Sequence, residues 1–374
     1  MTNNPTQPAS TSPIAPLMLD IDGHTLTDAD KLVIKNDTVG GMILFGRNVN
    51  TPEQVRSLCD AMRAVKPNFI IGVDQEGGRV RRLREGFTPL PAMGKLGTFF
   101  DADPCKALSL AYDIGYVLAC EVLAVGIDVS FAPVLDMDGV SQVIGDRGFH
   151  ADTLAIVALS SQLMRGMKAG GMATTGKHFP GHGSVATDSH YGIPMDERDF
   201  ATIWQSDLQP FVQCQHLLDA VMPAHVVYPK VDDKSAGFSK VWLQDIARGK
   251  LGFDGVLFSD DLSMQAAHVA GDAGDRVLSA LSAGCDMALV CNDRASAMTA
   301  IEAVQHHPEF LQNTQSHARL AKMQSIIPEW QGSLEATCEQ FEEWATAKAR
   351  IEQTFFNETL FTQSTEQKDP TEYR

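Results

Sequence analysis

The chain is short of positive charge. Its 30 lysines and arginines are set against 47 aspartates and glutamates, a formal net charge of −17. An acidic surface is repelled by phosphate backbones and anionic bilayers, so neither nucleic acid nor a membrane surface is expected as a partner. A small anion held by a local basic cluster is not excluded. Paired cysteine motifs are also missing. Seven cysteines (59, 105, 120, 214, 285, 291 and 338) are scattered without a CxxC pair, and their number is odd. Most sit in apolar surroundings, as in Ala119-Cys120 and Val290-Cys291. That is the pattern of buried free thiols in a reducing compartment. No apolar run approaches the ~20 residues of a membrane span. The first fifteen residues are rich in Asn, Thr, Pro and Ser and lack the basic start and apolar core of a signal peptide. A cytoplasmic location is therefore expected. Gly77-Gly78 lacks the G-x-G-x-x-G spacing of a dinucleotide fingerprint, and no His-Glu-x-x-His zinc signature occurs.

What is present is an ordinary globular composition, 44% hydrophobic and 21% charged over 374 residues. Residues 1–13 read as a disordered tail. After them, short apolar runs alternate with longer helical patterns. The runs are Leu17–Ile21, Gly41–Phe45, Phe69–Val73, Val129–Leu135, Ala173–Lys177, Ala220–Ala224, Gly255–Ser259 and Asp286–Val290. Such runs suit parallel strands buried on both faces. Between them, helices are expected at 28–36, from Pro52, and at 104–125, 155–167, 200–218, 240–250, 264–283 and 295–304. The first is the weakest, with only Leu32 and Ile34 for an apolar side. Eight strand–helix units over 14–330 predict an α/β fold, a single (β/α)8 TIM-type barrel. Residues 331–374 read as an acidic helical segment with a frayed end, in which Leu334, Cys338, Phe341, Trp344, Ala345 and Ala349 share a face.

Polar residues come directly after almost every predicted strand: Asp20 and Asp22, Arg47-Asn48, Asp74-Gln75-Glu76, Asp136, Lys177-His178, His225, Asp260-Asp261 and Asn292-Asp293. In a barrel these ends share one face, the face that carries the active site. Loops are polar in any case, but charges abutting apolar strands favour function.

Four segments carry the chemistry. Gly176-Lys-His-Phe-Pro-Gly-His-Gly183 leads into Asp188-Ser189-His190, where His190 is the natural proton carrier and Asp188 can orient its ring. Histidines 178 and 182 have i, i+4 spacing, but Pro180 and Gly181 between them exclude a helix that would aim both at one ion. Neither a metal nor a cofactor is expected. Ser259-Asp-Asp-Leu-Ser-Met264 ends the seventh strand. Adjacent strand residues alternate in direction, so Asp260 is assigned to chemistry and Asp261 to capping the next helix. In Asp74-Gln-Glu-Gly-Gly-Arg-Val-Arg-Arg82, Asp74 can accept from vicinal sugar hydroxyls and Arg82 can donate. Gly145-Asp-Arg147 supplies a further, exposed arginine.

Together these segments resemble glycoside hydrolase family 3, and within it the bacterial cytoplasmic β-N-acetylglucosaminidases of peptidoglycan recycling. The resemblance runs from about Pro16 to about Lys322. It implies that Asp260 is the nucleophile and His190 the general acid/base, with Asp188 as its partner. It further implies that Asp74, Arg82, Arg147, Lys177 and His178 bind the N-acetylglucosamine ring. The implied reaction is retaining removal of terminal N-acetylglucosamine from muropeptide fragments; a monomer is expected. Gly148 and Ser184 depart from the family pattern, in loops. The alternatives are a family 3 β-glycosidase of other specificity, a metal-dependent hydrolase, or a non-catalytic sugar sensor.

Overall fold

A computed structural model describes residues 13–185 and 194–356. Each of the eight predicted apolar runs overlaps a strand: β1 (Leu17–Asp20), β2 (Val39–Leu44), β3 (Ile70–Val73), β4 (Val129–Ser130), β5 (Thr175–Phe179), β6 (Ala220–Pro223), β7 (Val256–Leu257) and β8 (Ala288–Leu289). They form two curled parallel sheets, ordered β8-β1-β2-β3-β4 and β7-β6-β5. Isolated parallel bridges pair Val129 with Ala173, Val134 with Lys177 and Phe258 with Met287.

The period-2 geometry of a strand divides the core. Met18, Ile43, Ile70, Val129, Phe131, Met222, Phe258 and Leu289 form one buried cluster among the strands. Their neighbours of opposite parity, such as Leu17, Leu44, Ile71 and Leu257, join the helices in a second, larger cluster.

The helix Pro52–Val65 starts as its sequence predicts, with Thr51 capping Gln54 and Pro52 in the first turn. Other helices depart from expectation. In Asp28–Lys35 the buried apolar residues are Val33 and Ile34, while Leu32 is 71% exposed. The predicted helix 200–218 is broken into Phe200–Gln205, Gln209–Cys214 and one tight turn, because Ser206 leaves helical geometry (φ −121, ψ −95). The predicted helix 264–283 breaks at Gly271 (φ 107), which separates Gln265–Ala270 from Ala273–Ala283. The C-terminal face is carried by two helices, Leu334–Cys338 and Trp344–Phe355. In the second of these, Trp344, Ala347 and Ile351 are buried and Ala345 and Ala349 are not.

The helix Pro104–Ala124 amends the reading of apolar runs. By length and composition it is apolar enough to cross a membrane, but 83% of its apolar window is buried in the fold. It packs tightly on Thr153–Ala169: a Cβ at Gly115 would lie 2.0 Å from the Leu163 carbonyl, so only glycine permits this approach. Its charges are met as well. Asp113 pairs with Arg350 at 2.6 Å, and Glu121 accepts from Thr88 and from Trp344 Nε1.

Candidate active site

The C-terminal ends of the strands surround one pocket. Asp74 reaches it from β3, Lys177 and His178 from β5, and Asp260 and Asp261 from the end of β7. Arg147 enters from the loop after β4, and Phe45 and Phe131 form apolar walls.

A chain of alternating charges lines one side. Lys177 Nζ lies 2.8 Å from Asp74 Oδ1 and 2.7 Å from Glu76 Oε1. Arg147 donates to both Glu76 oxygens at 2.9 Å, a bidentate pair. Burial pushes the Glu76 carboxyl up, but Arg147 and Lys177 outweigh it and hold the acid ionised. Burial likewise opposes the Lys177 charge, and Asp74 and Glu76 more than restore it. Arg147 is thus not the exposed residue its glycine-rich loop predicts. It is 6% exposed, because Glu76 draws it inward. Arg82 is buried behind Asp74, its Nη2 3.8 Å from Asp74 Oδ2 and its guanidinium 5.9 Å from the Phe45 ring centre. The ribbon that carries Glu76, Gln75–Gly77 with Val80–Arg81, turns through Gly77 and Gly78 at positive φ. A Cβ at Gly77 would fall 2.3 Å from the Pro91 carbonyl.

A second group centres on Asp136, which is fully buried. Its Oδ2 accepts from the His178 backbone at 3.1 Å and lies 2.6 Å from His178 Nδ1, and its Oδ1 accepts from the His182 backbone at 2.7 Å. Burial raises the Asp136 carboxyl, and His178 and His182 outweigh it, so the acid is held below its ordinary value. His178 thereby has its orientation set from behind. The Lys177–His178 peptide is cis, and both side chains border the pocket.

Asp260 and Asp261 both border the pocket, where the alternation of a strand predicts only one. β7 ends at Leu257, so the pair lies beyond regular strand geometry. Their surroundings differ nonetheless. Asp261 is tied down: it accepts from Ser263 N at 2.9 Å, Ser263 Oγ at 2.7 Å and Cys291 N at 3.1 Å. Burial pushes its carboxyl up to about 7 against those bonds, and the Asp260 charge adds to the rise. Asp260 accepts one hydrogen bond among the described residues, from Asp261 N at 2.8 Å. Burial raises it too, but His225, His178, the Asp261 amide and Lys177 outweigh that and keep it below the ordinary carboxylate value. A carboxylate held ionised beside a neighbour biased toward protonation is fit for nucleophilic or electrostatic work.

Asp188 and His190 lie outside the described residues. Among the described ones, Asp74, Lys177, His178, Arg147 and Asp260 meet around one pocket. Glu76 has no assigned role in the sequence, and Asp136 stands there only as a polar strand end. The signal for Glu76 was there, because residues 74 and 76 share a face in an extended segment. The partners of Asp136 lie 42 and 46 residues away and had no local signature.

The family model for the glycosyl hydrolase family 3 N-terminal domain matches residues 17–325. A β-hexosaminidase of Pseudomonas aeruginosa is 55% identical over 290 residues, which are 77% of this chain and 86% of that protein. A β-hexosaminidase of Methylobacillus flagellatus is 53% identical over 315 residues, 83% of this chain and 88% of that protein. The crystal structure of NagZ from Neisseria gonorrhoeae in complex with N-trifluoroacetyl-D-glucosamine aligns with a TM-score of 0.82 at 41% identity, covering 91% of this chain and 98% of that one. With the family model spanning well over half of its length, the chain belongs to glycosyl hydrolase family 3.

Proposed function

We propose that this chain is a retaining exo-β-N-acetylglucosaminidase that removes terminal N-acetylglucosamine from peptidoglycan fragments. The observation that carries the reading is Asp260, held ionised and accepting a single hydrogen bond among the described residues, on the same pocket as the Asp74–Lys177–Glu76–Arg147 array. A pocket lined by paired charges and two phenylalanines suits one sugar ring, which offers hydroxyls at its edge and C–H groups on its face. The β-hexosaminidase relatives and the N-trifluoroacetyl-D-glucosamine complex of the Neisseria protein support the N-acetyl specificity.

In this mechanism Asp260 attacks the anomeric carbon, and the glycosidic bond breaks as a glycosyl ester forms. His190 protonates the departing oxygen and then takes a proton from the water that hydrolyses the ester, with Asp188 holding the ring. An imidazole with an ordinary pKa of ~6.5 serves both steps near neutral pH. Asp74, Lys177 and His178 bind the ring hydroxyls. Arg82 and Arg147 hold Asp74 and Glu76 in place and extend the donor set. The usual second carboxylate of a retaining glycosidase is replaced by the histidine. We further read the two sheets as one closed (β/α)8 barrel spanning 14–330, which the three parallel bridges support, and the protein as a cytoplasmic monomer.

Parallel assays with aryl β-N-acetylglucosaminide and aryl β-glucoside test the specificity, and preference for the glucoside would overturn it. Turnover of an N-acetylglucosaminyl-anhydromuramyl substrate, monitored by NMR, should release the β-anomer first. Initial release of the α-anomer would exclude retention. His190→Ala should slow alkyl glycosides far more than a dinitrophenyl glycoside, which leaves without a proton. Equal losses on both would remove the acid role.

A further inference from the structure

Residues 186–193 carry Asp188 and His190, and the chain on either side of them converges on one side chain outside the pocket. Asp207 is 1% exposed. On the approach, Ser184 Oγ donates to Asp207 Oδ1 at 2.8 Å. Gly181, at φ 138, packs so closely that a Cβ there would lie 2.4 Å from Asp207 Cβ. On the return, Arg198 Nη1 reaches Asp207 Oδ2 at 2.8 Å, and the same guanidinium is forked onto Asp196. Ser206 Oγ adds a bond to Asp207 Oδ2 at 2.8 Å.

Neighbouring contacts repeat the arrangement. Tyr228 OH donates to the Gly181 carbonyl at 2.5 Å, while Val227 exchanges backbone hydrogen bonds with Pro194 and Asp196. Residues before and after the segment are therefore fastened to the same buried base. Among the described residues the Asp207 carboxylate is bonded by Ser184, Ser206 and Arg198, and none of these borders the pocket. A buried carboxylate with this many donors costs desolvation energy and stays only where its partners are held in fixed geometry.

We propose that Asp207 is a positioning residue for the acid/base step, fixing entry to and exit from the segment that bears His190. This rests on the reading of His190 as the general acid/base. The bonds that matter are Ser184 on one side and Arg198 on the other, which lie 14 residues apart in sequence. Without the carboxylate the two flanks lose their common anchor, and the acid/base step slows while the Asp260 side of the pocket is undisturbed.

The test compares leaving groups. In Asp207→Asn, kcat/KM for an alkyl β-N-acetylglucosaminide should fall by about tenfold or more, while that for the 2,4-dinitrophenyl glycoside changes by less than about threefold. Ser184→Ala, which removes one anchor and leaves the Arg198 ion pair, should shift the ratio in the same direction by less. Asp113→Asn, which breaks a comparable buried ion pair on a distant helix, should leave the ratio unchanged. Equal losses on both substrates in Asp207→Asn and Ser184→Ala, or no loss in either, would overturn the proposal. If Asp207→Asn does not fold, Ser184→Ala decides alone. His190→Ala, measured alongside, separates the two readings. A flat leaving-group response there sinks the acid/base assignment itself. A steep response there with flat Asp207→Asn and Ser184→Ala sinks only the anchoring role.

Discussion

The side chain of His178 is held from behind by Asp136, with Nδ1 2.6 Å from Oδ2. The same carboxylate also accepts the backbone N–H of residues 178 and 182, so one buried acid sets both the turn and the ring. Its donors are local to each other and distant from it in sequence, which makes Asp136 the point where the β4 end and the β5 end are locked together.

Asp136→Asn keeps the shape and loses one acceptor oxygen. The ring of His178 should drift, and kcat/KM should fall by about 10²-fold, the usual cost of misplacing a group that positions substrate. Steady-state kinetics on an aryl β-N-acetylglucosaminide would check this. Activity within a factor of about two of the parent would show that Asp136 is only a packing residue.

Asp260→Asn removes the group assigned to attack at the anomeric carbon. Turnover should drop by on the order of 10⁴-fold or more whatever the leaving group, as when a nucleophile is lost elsewhere. Mass spectrometry of the parent quenched during turnover of a slow substrate should show a sugar adduct on the peptide containing residue 260. An adduct on a different peptide would reassign the nucleophile.

Glu76→Gln leaves Arg147 buried without its paired carboxylate and Lys177 with one of its two. Removing one partner of a buried ion pair costs about 3–5 kcal/mol, so the urea midpoint at pH 7 should move down accordingly. KM should rise as well, because Lys177 also holds Asp74. A midpoint that does not move would mean the two cations find other partners.

The pH dependence of stability should carry the mark of Asp261. Its folded carboxyl is pushed up to about 7, from an ordinary 3.8. The folded state therefore binds more protons than the unfolded chain between those values, and stability falls as pH rises through that window. Asn at 261 can still accept from Ser263 N and Cys291 N, both of which bond Oδ1, and can donate to Ser263 Oγ. Asp261→Asn should match the parent near pH 4 and exceed it by about 2–4 kcal/mol at pH 8. Urea titrations at the two pH values measure it, and parallel pH curves for the two proteins would contradict it.

The parts of the fold that were legible in the sequence are those with a local cause. The β strands announce themselves as β-branched and aliphatic runs, and Thr51-Pro52 announces a helix start. Breaks inside helices were harder to see. Ser206 and Gly271 interrupt helical patterns whose apolar spacing continues past them, because packing against neighbouring elements overrides spacing. The C-terminal helix shows the same limit, with Ala347 and Ile351 buried in place of Ala345 and Ala349. A face of small, weakly apolar residues has little intrinsic preference for one rotation, so the surface it meets decides.

The order of residues along the chain was enough to determine the strand positions, the family, and which side chains stand at strand ends, since each depends on neighbours a few positions apart. Only the tertiary structure decided which of those side chains pair. Glu76 meets Arg147 across 71 residues and Asp74 meets Lys177 across 103, and Arg147 is buried because of the first meeting. The ionisation of Asp260 and the contrary bias of Asp261 were decided there too. Desolvation and Coulomb forces act through space, and a one-dimensional pattern carries neither distance nor burial.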